Sequence, residues 1–112
     1  MNGAGARRKG HDFERWVANE LALVFGDDVR RGLQYRDGSE APDVIAPAFF
    51  IECKRGRQTN PRAALHQAQV ASAGKGLWPI AITKDDGDPP IVTLSLEDFT
   101  HLLREWWAGR QR

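Results

Sequence analysis

Asp43, Glu52 and Lys54 have the types and spacing to do chemistry on a phosphate. Two short runs rich in Val, Ile and Phe, residues 43–46 and 48–54, flank Pro47, which predicts two antiparallel strands joined by a hairpin turn. If the loop is symmetric about Pro47-Ala48, Asp43 stands directly opposite Glu52. Opposed residues have Cβ atoms roughly 4.5 to 5.5 Å apart, and carboxylates that close repel unless a cation lies between them. Mg²⁺ meets that need with one or two carboxylates, waters and a substrate phosphate, and Mn²⁺ is expected to substitute. Strand alternation puts Lys54 on the face of Glu52 and turns Cys53 to the other. There the ammonium can bind the scissile phosphate or offset charge that builds up in the transition state. With the cation as Lewis acid and activator of water, the expected reaction is phosphodiester hydrolysis.

The elements that position these residues follow from pattern and punctuation. Phe13, Trp16, Val17, Leu21 and Val24 recur at helical spacing, so a helix is expected from about residues 10–12, with Asp12 as cap, to a stop at Gly26. Residues 1–9 read as a mobile basic arm, and residues 10–112 as one domain. A first strand is expected over 29–36, interrupted by Gly32, before the turn-rich Asp37-Gly38-Ser39. Asn60-Pro61 supplies a cap and first-turn proline for a helix to about Ser72. Strands over 77–83 and 91–94 follow, joined by the acidic loop 85–90, and Ser95 caps a closing helix with Leu96, Phe99, Leu102, Leu103, Trp106 and Trp107 on its apolar side. The fold class is therefore α/β, a mixed sheet of about five strands flanked by helices.

Pro42-Asp43 followed by Glu52-Cys53-Lys54 at the end of a hydrophobic strand resembles the PD-(D/E)XK nuclease superfamily. Lys9-Gly10, Phe13-Glu14-Arg15, Ser39 and the strand Asp43-Val44-Ile45-Ala46 make the chain similar, over roughly residues 9–84, to archaeal and phage-type Holliday-junction resolvases. The resemblance implies a restriction-endonuclease-like fold and Mg²⁺-dependent cleavage of DNA, with branched junctions as substrate. It implies that Glu14 completes the acidic cluster, that the backbone carbonyl of Cys53 is a metal ligand, and that a glutamine of the second helix lies near the site. Gln67 and Gln69 compete for that place. Ala63, Ala64, Ala68 and Val70 suggest a small-residue packing face that favours Gln67. Arg15 resembles a family residue near the phosphate, and a two-fold protein cutting a two-fold junction implies a homodimer.

Ordinary readings stand beside these. Asp43 alone could serve a turn, Glu52 and Lys54 alone could form a solvated strand face, and Glu14 could simply favour a helix N-terminus. The matched acids beside Phe49-Phe50-Ile51 favour a site. The net charge of +1 does not by itself mark a nucleic-acid binder. Its distribution does more: Arg7, Arg8 and Lys9, then Arg31 and Arg36, then Arg55, Arg57 and Arg62 flank the acids and suggest phosphate contacts, with Ser39 beside them. No run of about 18 apolar residues offers a membrane span. A single cysteine and a basic N-terminus without an apolar stretch point to the cytoplasm. His11, His66 and His101 lack zinc-ligand spacing, Cys53 reads as a small core residue, and no nucleotide cofactor is expected. Adjacent Trp106 and Trp107 read as core and edge of the last helix, with an exposed ring marking a subunit interface. Two rivals remain: a phage-type nuclease that nicks single-stranded, flap or duplex DNA, and a catalytically silent DNA-binding module on the same scaffold.

Overall fold

The computed structural model describes residues 3–32 and 41–112. Its elements are α1 (Gly3–Phe25), a 3₁₀ turn (Gly26–Asp28), β1 (Arg30–Arg31), β2 (Val44–Ala46), β3 (Phe49–Gly56), α2 (Pro61–Ser72), β4 (Trp78–Asp85), β5 (Ile91–Thr93) and α3 (Leu96–Arg110). The five strands form one mixed sheet in sequential order. Only β3 and β4 are parallel, and α2 makes the crossover that a parallel pair needs. The expected α/β class and strand number hold. None of the helices among the described residues is long and apolar enough to cross a membrane.

Strand alternation distributes the core over both faces of the sheet. Ile51 and Cys53 of β3 join Val44, Ala46, Ile80 and Ile82 against Phe13 and Val17 of α1. On the other face, Phe50 packs against Ala68 and Ala71 of α2, and Ala81 against Ala64 and Leu65. Burying these side chains contributes about 1.5 to 3 kcal/mol for each large one, which fixes the register of β3. Pro47-Ala48 forms the hairpin turn as expected, with Val44 opposite Ile51 and Ala46 opposite Phe49.

Caps mark α2 and α3. The Asn60 side chain accepts from the Ala63 amide at 3.0 Å, and that of Ser95 from the Asp98 amide at 3.1 Å. Gly26, at φ +66°, ends α1 in the left-handed region.

Three expectations need correction. Helix α1 starts at Gly3 and not near residues 10–12, so residues 3–9 extend it: alanine, arginine and lysine are strong helix formers even without an apolar stripe. The buried face of α2 is Ala64, Leu65, Ala68, Ala71 and Ser72, while Ala63 and Val70 are exposed. Neither Trp106 nor Trp107 is a core residue, because α3 buries none of its side chains.

Candidate functional site

The hairpin brings the two acids together, though not as a regular rung. The β2–β3 pairing ends at Val44 and Ile51, and Asp43 sits in the bend just before β2. Its amide donates to the Ile51 carbonyl at 2.8 Å, and its Oδ2 accepts from the Cys53 amide, also at 2.8 Å. The Asp43 carboxylate thus occupies the place of the next ladder bond. The N–H and C=O of one strand residue point to the same edge, so the Cys53 carbonyl is directed to the Asp43 side.

Glu52 follows Phe50 by two residues and shares its face of the sheet. It is 2% exposed, and Asp43 8%. Burial, then the charge of Asp43 and side-chain hydrogen bonding to it, push the Glu52 carboxyl up to about 8 against the pull of Lys54. Even so, Oε2 of Glu52 is buried with no hydrogen-bond partner among the described residues. An orphaned carboxylate oxygen is costly, and a cation or proton is what would satisfy it.

Glu14 reaches the same electrostatic neighbourhood from α1. Burial and the Asp43 charge raise its carboxyl above the usual range, while Nη2 of Arg31 donates to its Oε1 at 3.2 Å. Arg31 is held there by its register opposite Val44, and its Nε is also buried without a partner among the described residues. Gly32 makes room beside them: its amide donates to the Asp43 carbonyl at 2.8 Å, and a Cβ on it would fall 1.9 Å from the Pro42 carbonyl oxygen. Sequence reasoning assigned Arg31 to phosphate contact. Its pairing with Glu14, like the close approach at Gly32, depends on strand register and left no local signal.

Lys54 is exposed and, with Gln67 and Asn60, lines a shallow cavity of about 310 Å³. Gln69 instead lines a groove with His66, Arg62 and Ser95. The two glutamines flank opposite edges of the buried α2 stripe, so Gln67 is the one brought to Lys54. Burial and the surrounding carboxylates push the Cys53 thiol up, which leaves it protonated and a poor ligand or nucleophile.

The basic residues are dispersed. Arg7, Arg8, Arg57 and Arg62 are exposed, and Arg15 pairs with Asp12 at 3.3 Å. Lys9 and Arg55 both meet Asp86, at 3.1 and 3.6 Å, so the acidic loop offsets part of the positive charge that sequence grouping suggested. Arg36 and Ser39 lie outside the described residues, as does the second half of the strand expected over 29–36.

Among the described residues, no group of three or more His, Cys, Asp or Glu side chains is arranged to hold a metal ion. The acids that face one another are two, Asp43 and Glu52, with Glu14 held by Arg31. Two carboxylates with an orphaned oxygen are still a donor set that a hard divalent cation accepts when waters complete its shell. No family model, curated protein or solved structure matches the chain.

Proposed function

We propose that the protein is a divalent-metal-dependent DNA endonuclease with a restriction-endonuclease-like core, acting on branched DNA such as four-way junctions. The observation that carries this reading is the buried pair of Asp43 and Glu52, with Oε2 of Glu52 orphaned among the described residues, beside the exposed ammonium of Lys54. Asp43 and Glu52 would hold Mg²⁺ or Mn²⁺, with the Cys53 carbonyl directed to the same edge and Glu14 available once Arg31 is drawn away. A cation held there would supply Lewis-acid stabilisation and offset the charge of the two carboxylates. Lys54 binds a non-bridging oxygen of the scissile phosphate and offsets its growing charge. Gln67, at the rim of the same cavity, orients a phosphate or water through its amide. Exposed Arg7, Arg8, Arg57 and Arg62 contact flanking phosphates, which gives affinity and a steep salt dependence without base readout.

The test is cleavage of a labelled four-way junction, a flap and a plain duplex in Mg²⁺ or Mn²⁺. The expected outcome is cleavage favouring the junction, lost in EDTA. Asp43→Asn, Glu52→Ala or Lys54→Met should each lower the rate at least 10²-fold, the magnitude typical of losing one electrostatic contributor. Equal cleavage by Glu52→Ala would eliminate the proposed site. Metal-independent binding without turnover would favour the silent module.

A further inference from the structure

Helix α3 is amphipathic the wrong way round for a monomer. At 100° per residue, Leu96, Phe99, Leu103, Trp106 and Trp107 fall within an arc of about 100°, and all five are exposed: Leu96 is 78% accessible and the other four between 44% and 58%. The body is met from another side, where His101 lies 5.7 Å from the Trp78 ring and Asp98 and Leu102 are half-buried. A 15-residue helix with no buried side chain is marginal in water by itself. Its apolar arc needs a cover.

We infer that the cover is a second copy of α3, packed antiparallel about a two-fold axis near Leu103. Two observations select this occupant. At about 150 to 250 Å² per full large side chain, the exposed fractions of those five residues amount to about 420 to 700 Å², half or more of the about 800 Å² that each partner contributes to a stable interface. The charge order is also self-complementary. Glu97 lies in the first turn and Arg110 in the last, so an antiparallel pair sets acid near base and opposes the helix dipoles, whereas a parallel pair stacks like charges. The Arg110 guanidinium already lies 5.1 Å over the Trp106 ring, which places a cation at the end where the other copy's acidic turn arrives. The interface follows from α3 alone and stands whether or not the carboxylate pair is catalytic.

The experiment is sedimentation equilibrium on the full chain, followed by cysteine trapping. The wild-type protein should have twice the 12.5 kDa chain mass at micromolar concentration, and Leu103→Asp should be monomeric with unchanged strand content by circular dichroism. Under mild oxidation, Leu103→Cys should form a covalent dimer. Leu96→Cys should not, since antiparallel packing holds its two copies roughly 20 Å apart along the axis, beyond the about 7 Å that a disulfide spans. Cys53 is buried and does not compete. A monomeric wild type, a dimer that survives Leu103→Asp, or trapping of Leu96→Cys in preference to Leu103→Cys would each overturn the inference.

Discussion

Asp43 and Glu52 lie buried against one another, whereas Asp85 and Asp86 stand toward solvent with donors already in place. The Thr59 amide and hydroxyl both donate to Oδ1 of Asp85, at 2.8 and 2.5 Å, and Lys9 and Arg55 meet Asp86. The same chemical group therefore titrates in opposite senses. Hydrogen bonds from Thr59 lower Asp85, and the contact with Lys9 lowers Asp86, while burial and a neighbouring acid raise Glu52. The acidic loop is the denser run in sequence, yet its charge is satisfied from within the chain. Density of acids does not by itself set how a carboxyl titrates; burial and the donors around it do.

The largest expected effect that would break this contrast concerns Glu52. Its folded-state pKa is raised from 4.5 to about 8, so metal-free protein holds that proton more tightly than the unfolded chain does. Stability tied to Glu52 is full below pH 4.5 and is lost as pH rises toward 8. In EDTA, Glu52→Gln keeps a donor for Asp43 and carries no charge. At pH 8 it should be more stable than wild type by roughly a few kcal/mol, with the gap closing by pH 4.5. Mg²⁺ or Mn²⁺ should raise the melting temperature of wild type at pH 8 and leave Glu52→Gln unmoved. Urea melts across that pH range read both effects, and parallel curves for the two proteins would show that the pair is not strained by like charge.

Gly32 offers a steric test of the same region. Gly32→Ala drives a methyl into the Pro42 carbonyl, and overpacking of this kind costs about 1 to 3 kcal/mol. Because the Gly32 amide also holds the Asp43 carbonyl, cleavage should fall by more than the loss of folded protein explains, whereas Gly87→Ala in the acidic loop should leave the rate untouched. Activity per folded molecule, corrected by the denaturation midpoint, distinguishes the two.

Local chemistry explains which parts of this arrangement were legible in the sequence. The hairpin could be read because Pro47 separates two apolar runs, and α2 and α3 because Asn60 and Ser95 announce their starts. The facing of Asp43 and Glu52 followed from turn symmetry alone, although Asp43 reaches Cys53 with its side chain and not through a further backbone rung. What could not be read depends on distant partners. The Glu14–Arg31 pair spans 17 residues and exists because β1 pairs with β2. The outward turn of the α3 apolar face depends on which side meets Trp78, and periodicity gives a stripe without saying what it faces.

The smallest expected effect sharpens the comparison from the other side. Asp85 is held below the ordinary carboxylate range by the Thr59 donors, so the stability it contributes is complete above its unfolded value of 3.8 and disappears as pH falls through the lower folded value. Asp85→Asn should therefore lower the urea midpoint slightly at pH 7, by an amount that shrinks in acid below pH 3.8, because the wild-type carboxyl is then protonated too. Thr59→Val, which removes the hydroxyl donor and keeps the amide, should reproduce part of the pH 7 loss, and the double variant should lose less than the sum of the two single ones, since the hydroxyl bond is shared. The slope with pH is opposite in sign to that expected for Glu52. A deficit for Asp85→Asn that grew as pH fell toward 3 would mean that the loop acid, too, is held against its charge, and the distinction between a satisfied and an unsatisfied acid would fail.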